Sequence, residues 1–500
     1  MRGIVVALTF FCVTGAGSHA FGQINFSGYV KNYTVIQDAI DNGPLQFDRS
    51  YRMQNSGRFM LDAFNGNQVW QLHYEVGLDS TSQLQRIGES FLTPARQSYR
   101  LTDLRSTIGP SGKKNIVPQN LDRFNVQFQL DSGDLTIGRQ AITFGSARII
   151  NPTDVFLPFD VRTLNTEYRI GIDAVRFQKP MGQLGEIDMG VILGADGKPE
   201  NSAVFFQLLT NVSGSDYQFT AMRFADQNLI GAGIQSALGV LGFWLETAYV
   251  SGDEDYTRAS IGVDYAFNER VFGMIEYHFN GAGSSNPDDY LEHLNDTAYT
   301  AGGVFLLGRN YLIPVISWQQ STLLTLSLQS LANLDDGSIF LSLNAEYSLS
   351  DNIYMGLGYY HFIGEDFNFS NEIQNDALFE FGSEYGSNPD SIFVSFRYYF
   401  SLGLLIAWRL QLNLKLSFED FSVELPFPVG HRRGHGKVSG DIDTGSQHIQ
   451  WPINSEYKTY NKANLFRCHT DGIHHRRHQK NGGPRNCGST HRHQGSRTRD

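Results

Sequence analysis

The sequence predicts an all-β fold, a transmembrane antiparallel β-barrel, from three observations. Segments of about ten residues alternate between apolar and polar side chains, and in residues 70–79 every even position is apolar and every odd one is polar or glycine. Strand geometry sends the two sets to opposite faces of a sheet. Short turn signals and long polar stretches join these segments. Finally, an export-type segment opens the chain, and no later stretch reaches the ~18 apolar residues of a transmembrane helix.

Composition excludes several classes of protein. Of the 500 residues 18% are charged, whereas soluble domains carry about a quarter. The formal net charge is -12, which argues against nucleic-acid binding through a basic surface. The only cysteines are Cys12, Cys468 and Cys487, so no disulfide framework holds the main body. We expect no cofactor and no metal site, since the Cys/His cluster in residues 468–493 matches no tetrahedral zinc spacing.

Residues 1–22 are predicted to be a signal peptide for Sec-type export. Arg2 gives a positive start, residues 4–13 are an apolar run, and Ala20 and Gly22 offer small residues for cleavage. A buried N-terminal helix is the alternative interpretation. Export without a transmembrane helix predicts that the protein resides in the bacterial outer membrane.

The alternation recurs at 124–131, 260–267 and 341–349. Turn signals stand at 131–134, 180–183, 268–270 and 350–352, and the longer polar stretches at 80–119, 145–169 and 280–297. Short turns at one end and long loops at the other are typical of outer-membrane barrels. A soluble sandwich also alternates, but aromatic residues at the ends of the apolar faces favour the barrel. Eighteen strands are expected and sixteen also fit, which leaves a lumen that strand side chains alone cannot fill.

The predicted barrel occupies residues 23–400. Residues 391–400 alternate and end on Phe400; this resembles the C-terminal signature by which outer-membrane proteins are recognised, and implies the barrel-assembly machinery as a partner. Residues 401–500 carry 15 Lys plus Arg and 8 Asp plus Glu, against 23 and 43 in residues 23–400. We therefore interpret them as an atypical tail, mostly disordered or read-through. A turn at Ser401-Leu402-Gly403 followed by a strand to Phe418 remains the alternative.

Residues 135–160 contain Gly138-Arg139-Gln140 and, further on, Asn151-Pro152-Thr153-Asp154. This stretch resembles a strand and loop of alginate-export-like and related porin-type outer-membrane barrels. The resemblance implies an export or uptake channel. It does not imply an alginate substrate, because no binding cleft can be aligned residue by residue.

The stretch 145–169 is expected to be the third outer loop, folded into the lumen to narrow the pore. Six arginines lie within residues 123–176, and opposed rows of arginines and acids would set a field across a constriction. Arg139 shares the phase of lipid-facing Ile137, so we expect a bulge near Gly138 that turns it inward. Alternatively, the arginines bind lipopolysaccharide or form salt bridges at the outer rim. The predicted constriction residues are Arg123, Arg139, Arg148, Asp154, Asp160, Arg162, Glu167 and Arg176.

The expected function is a porin, a channel passing small hydrophilic solutes or ions by passive or weakly selective diffusion. The alternatives are a substrate-specific exporter or uptake channel for an acidic saccharide, and a barrel enzyme such as a phospholipase. No catalytic residue is predicted, because His73 and His278 lack a nucleophile motif. Outer-membrane lipid and lipopolysaccharide are expected partners; charge preference and the choice between monomer and homotrimer stay open. The predicted pore-lining residues are Gln71, His73, Glu75, Gln127, Gln129, Glu276 and Glu346.

Overall fold

The structure is a computed structural model that describes residues 23–42, 45–82, 99–102, 106–108, 115–156, 158, 160, 162–164, 167–367 and 380–404. The predicted signal peptide and nearly all of the predicted tail, with its Cys/His cluster, lie outside these residues. Among the described helices, none is long and apolar enough to cross a membrane.

Nearly all regular structure in the described residues is β-strand. The strands in chain order are β1 (Gln23–Gln37), β2 (Ile40–Asn42), β3 (Leu45–Phe47), β4 (Ser50–Asn65), β5 (Gln68–Thr81), β6 (Ser106–Ile108), β7 (Asn115–Leu130), β8 (Gly133–Gln140), β9 (Ile172–Met181), β10 (Gly185–Ile192), β11 (Ala203–Val212), β12 (Ser215–Phe224), β13 (Gln227–Leu238), β14 (Leu241–Ser251), β15 (Tyr256–Ala266), β16 (Val271–Asn280), β17 (Asn310–Gln319), β18 (Leu324–Asn333), β19 (Ile339–Ser350), β20 (Ile353–Ile363) and β21 (Ser391–Leu404). The helices are short: α1 (Tyr290–His293), α2 (Thr297–Thr300) and the 3-10 turns Ala195–Gly197, Pro199–Asn201 and Pro287–Asp289.

The strands form a closed antiparallel barrel. Nineteen strands belong to one sheet, and without the short β6, which pairs only along β7, eighteen make the wall. Each wall strand pairs with its neighbours along the chain, and β1 closes the ring by pairing with both β4 and β21. The β2–β3 hairpin stands apart from this sheet. The predicted all-β barrel of eighteen strands is therefore confirmed, because closure leaves no unpaired strand edge.

The two ends of the barrel differ, as the turn signals predict. Connections of two to four residues, such as 131–132, 213–214 and 351–352, join strands at one end, here called the short-turn end. The opposite end carries the long connections, including 141–171, 281–309 and 364–390. The first of these is the third long connection in chain order, as predicted.

Alternation assigns the two faces of the wall. In β14, Leu245 and Tyr249 are 37% and 47% exposed, whereas Trp244, Glu246 and Val250 are at most 1% exposed. The exposed set points outward and is apolar; the buried set points into the barrel and contains charged side chains. The same division holds in β12 and β21, so the outer face is apolar around much of the wall.

The last strand runs past Phe400. Residues 401–404 continue β21 and pair with Ser27 through Ile24 of β1. In place of the alternative turn at Ser401-Leu402-Gly403, these residues are held extended by the neighbouring strand. The interpretation of residues 401–500 as a tail stays a prediction. Whether the strand continues toward Phe418 falls outside the described residues.

Candidate functional site

The connection between β8 and β9, residues 141–171, is here called the lumen loop, and its described residues (141–156, 158, 160, 162–164 and 167–171) lie inside the barrel. Its backbone is bound by side chains of inward-facing wall residues. Glu246 of β14 accepts hydrogen bonds from the N–H groups of Ser146 (2.5 Å), Ala147 (2.7 Å) and Thr153 (2.9 Å). A loop outside the wall could not reach this carboxylate, which is completely buried.

A second wall carboxylate holds the next residues of the loop. Glu276 of β16 accepts from the N–H groups of Arg148 (3.1 Å), Ile149 (3.2 Å) and Ile150 (2.8 Å). It also accepts from the indole N–H of Trp244 at 2.7 Å. The segment 146–153 is thus seated on β14 and β16 through consecutive backbone amides.

Small residues on β13 make room for this seat. A Cβ at Gly231 would lie 2.2 Å from Cγ2 of Thr153, and one at Gly233 would lie 2.0 Å from Oγ of Ser146. On β15, Ser260 donates to the carbonyl of Ile150 at 2.6 Å. Glycine is needed here because the side chains of Thr153 and Ser146 lie directly against the strand.

The far end of the lumen loop contacts a different part of the wall. Glu167 accepts from Lys31 Nζ of β1 at 2.8 Å, and from Arg397 (3.1 Å) and Tyr399 (2.5 Å) of β21. Four strands separate β16 from β21 in the ring. The loop therefore crosses the lumen between two anchored ends, which meets the prediction that it folds inward.

An apolar cluster fills the long-loop end of the barrel interior. Phe144, Val155 and Phe156 of the lumen loop pack with Tyr299 and Val304 of the 281–309 connection. Tyr99 stacks edge-on against Phe156 at a ring-centroid distance of 4.7 Å. These contacts add a second support for the loop, on the side away from the short turns.

The predicted constriction residues lie partly on β7, β8 and β9 and partly in the lumen loop. Each has a partner of opposite charge, so each is neutralised locally. The pairs are Arg123–Asp122, Arg139–Asp173, Arg148–Asp264, Arg169–Asp154, Arg162–Asp160, Arg176–Asp188 and Glu167 with Lys31 and Arg397. Rather than two opposed rows, the geometry gives separate ion pairs; the constriction role of these residues stays a prediction.

Arg139 differs from the expectation in one respect. The pairing of β8 is continuous through Gly138 and Arg139, so no bulge lies there, although Gly138 has φ +119°. The ladder is interrupted instead between β5 and β7, where Asp122 has no paired residue. Arg139 keeps its outward phase and is satisfied at the end of β8 by Asp173, at 2.7 Å, and by backbone carbonyls. The ion pair solves the lipid-exposure problem without a bulge.

All seven predicted lining residues lie on the inward phase of their strands. Two of them have specific roles that phase alone does not indicate. Glu276 is buried beneath the lumen loop, whereas Glu346 pairs with Arg397 and keeps 43% of its side chain exposed. Arg148 of the lumen loop is also 38% exposed. Solvent therefore reaches these inward-facing charges, and the described parts of the loops do not fill the lumen completely.

A charged cluster on β1, β4, β5 and β7 was not predicted from the sequence. Arg58 binds Asp122 and Glu75, each at 2.7 Å, and its guanidinium lies 4.5 Å from the ring centroid of Tyr168. Lys31, wholly buried, lies 4.1 Å from the Tyr29 ring centroid. The alternation of the sequence places Lys31 and Arg58 on the inner face and could have indicated them. Their partners could not be predicted, because they depend on strand register.

The inward positions nearest the short turns carry acids. Among the described strands, the two inward residues closest to that end include no Lys or Arg. Asp62, Asp134 and Asp216 accept hydrogen bonds there from Gln71, Gln127 and Asn211. Glu186, Asp188, Asp264 and Glu346 lie close to this end as well, but the last three are paired with Arg176, Arg148 and Arg397. We call these inward positions the acidic mouth.

At the long-loop end, Glu384 of the 364–390 connection joins three elements. It accepts from Tyr311 (2.5 Å), Asn333 (3.0 Å) and the N–H of Leu307 (3.2 Å). Burial raises the pKa of Glu384 from its usual 4.5 to about 7, and the nearby Asp336 carboxylate also raises it, while Tyr311 and Arg162 act in the opposite direction. Among the residues that the structure describes, no group of three or more His, Cys, Asp or Glu side chains is placed to hold a metal ion.

Together these features define an eighteen-strand β-barrel whose polar interior is crossed by its third long loop. No protein-family model and no curated protein matches the sequence. Among solved structures, the chain is similar to OccAB4 and OccAB1 of Acinetobacter baumannii, at 9% and 8% identity, with a TM-score of 0.48 for each. These alignments cover 76% of this chain and 99% and 97% of the other chains.

The chain is also similar to the outer membrane protein OpdK from Pseudomonas aeruginosa, at 10% identity and a TM-score of 0.46, over 77% of this chain and 100% of that one. Similarity at this level carries no argument about function, so we infer the function from the geometry of this chain. The resemblance to alginate-export-like barrels has no counterpart among these three structures and stays a prediction.

Proposed function

We propose that this protein is a porin of the bacterial outer membrane that passes small hydrophilic solutes or ions by passive, weakly selective diffusion. The closed barrel carries the proposal, because its outer face is apolar and exposed while its inner face is charged and partly hydrated. A closed wall satisfies every strand's backbone groups within the bilayer. The expected contacts with lipid and lipopolysaccharide, and recognition of β21 by the assembly machinery, follow from this location.

We further propose that the channel favours cations. Six inward-facing cations, Lys31, Arg52, Arg58, Arg123, Arg176 and Arg397, each have a carboxylate partner. Asp62, Asp134 and Asp216 of the acidic mouth have no Lys or Arg partner among the described residues. A wall lined by one sign of charge raises the local concentration of the opposite ion. Pairing removes these six cations from the balance, so the acids without a Lys or Arg partner set the charge of the short-turn end.

Two alternatives fit the geometry less well. An uptake or export channel for an acidic saccharide would have to pass the acidic mouth, where like charges repel the solute. A barrel enzyme would need an accessible nucleophile. Ser260 lies 2.8 Å from Nδ1 of His278, but both side chains are buried beneath Ile150 of the lumen loop, and Ser260 donates to its carbonyl. That pair supports the seat of the loop.

Purified protein in planar bilayers under a KCl gradient tests both proposals. We expect stepwise currents and a reversal potential that shows cation preference. In a variant with Asp134→Asn and Asp216→Asn, the reversal potential should move toward zero. Asp226→Asn, at an exposed loop of the opposite end, is the matched control and should leave it unchanged.

The outcomes separate the two proposals. Folded protein that gives no current contradicts the channel. Currents with anion preference in the wild type, or a double variant that keeps the wild-type reversal potential, contradict only the role of the acidic mouth.

A further inference from the structure

The lumen loop is seated on two carboxylates that lack a balancing cation. Glu246 and Glu276 are both 0% exposed, and neither forms a salt bridge with any described Lys or Arg. Arg258, the inward cation of the strand between them, donates instead to the carbonyl of Pro152 at 3.3 Å. Buried carboxylates without a cation are costly unless several donors surround them.

The lumen loop supplies nearly all of those donors. Glu246 accepts from three backbone N–H groups and from the Thr153 hydroxyl at 2.7 Å. Glu276 accepts from three more N–H groups, and only the Trp244 indole comes from the wall. Hydrogen bonds to an ionised acceptor are roughly twice as strong as neutral ones. If segment 146–153 left its seat, these carboxylates would lose most of their donors together.

We propose that Glu246 and Glu276 are positioning residues, a charge-dependent latch that holds the lumen loop across the barrel and thereby sets the conductance of the channel. This rests on the proposed channel function. The seat is specific to the loop because its donors are consecutive amides of a bent segment, whose N–H groups converge on one carboxylate. Without the two charges, the remaining hydrogen bonds between segment 146–153 and the wall are weaker. The segment then leaves the wall part of the time.

Single-channel recording of Glu246→Gln, Glu276→Gln and the double variant tests the latch. Glutamine keeps the side-chain size but replaces one acceptor oxygen with an amide group that cannot accept from the loop. In the double variant we expect roughly twofold higher conductance, because the displaced loop frees an area of the pore comparable to the area that is already open. Rapid fluctuations of the current should accompany this increase. Asp226→Asn is the matched control: it removes a carboxylate at an exposed loop that touches neither the lumen loop nor the acidic mouth, and its conductance and fluctuations should match the wild type.

A disulfide gives an independent test. A Cβ built at Gly233 lies 3.1 Å from Cβ of Ser146, close to the ~3.8 Å separation in disulfides. Ser146→Cys with Gly233→Cys should therefore tether the loop to β13, and the described residues contain no other cysteine. In the double Gln background, oxidation should restore wild-type conductance and reduction should raise it again.

Heat-modified gel mobility confirms that each variant barrel is folded. Wild-type protein without current would contradict the channel function itself. Wild-type current with unchanged conductance and noise in the double Gln variant would overturn the latch. Failure of the formed disulfide to restore conductance would also overturn it, since the change would then not come from the loop.

Discussion

Glu384 should make the packing of the outer loops depend on pH. The residue connects the 364–390 connection with Leu307 of the 281–309 connection and with Tyr311 and Asn333 at the adjoining strand ends. Its backbone N–H also donates to Asp336 at 2.8 Å, and that carboxylate accepts from Tyr290 at 3.0 Å. Asp160, Arg162 and Tyr385 supply the other charged or titratable groups nearby.

The direction of this pH dependence follows from the raised pKa of Glu384. In the packed loops its pKa is about 7, against 4.5 when solvated. Protonation therefore favours the packed state: the stabilisation is complete below about pH 4.5 and is lost as the pH rises through about 7. This difference corresponds to about 3 kcal/mol, on the order of a 100-fold change in the population of open loops. The loops should open more readily at pH 8 than at pH 4.

Hydrogen–deuterium exchange of peptides from 281–309 measures this opening. Because exchange chemistry itself depends on pH, wild type is compared with Glu384→Gln at each pH. We expect the ratio of wild-type to variant exchange rates to rise on the order of 100-fold between pH 4 and pH 8. A ratio that stays constant over this range would refute the assignment of the pH dependence to Glu384.

Two further substitutions test the interior. Arg58→Met leaves the partly buried Glu75 without its arginine partner, while Asp122 keeps Arg123. It should lower the free energy of unfolding by about 3 kcal/mol in urea titrations of detergent-solubilised protein. Arg52→Met, at a less buried pair, should cost about 1 kcal/mol or less, and equal losses would contradict the distinction. Gly231→Val places methyl groups where Thr153 lies, so it should raise channel noise and conductance while the barrel still folds; wild-type currents would show that the loop does not rest on β13.

Local alternation was enough to predict the wall. Residues 70–79 and 391–400 carry their inward and outward assignments in their own order, so the inward phase of Gln71 or Glu346 could be deduced without knowing any neighbour. The strand count was predicted only as eighteen or sixteen, and the closed ring decided it. The partners could not, because an ion pair such as Arg58–Asp122 joins residues 64 positions apart and depends on register. Arg139 shows the limit most clearly: its phase was read correctly, but its neutralisation by Asp173 requires the β8–β9 pairing.

The order of side chains by itself determined a barrel with an apolar outer face and a polar inner face. It also showed one long, arginine-rich connection, but not the position of that connection. Only the folded chain decided where: against Glu246 and Glu276, over the glycines of β13, and across to Lys31 and Arg397. The physical reason is the distance along the chain over which each effect acts. Alternation acts between adjacent residues, whereas buried charges select their partners by distance in space, after closure of the ring has brought remote strands together.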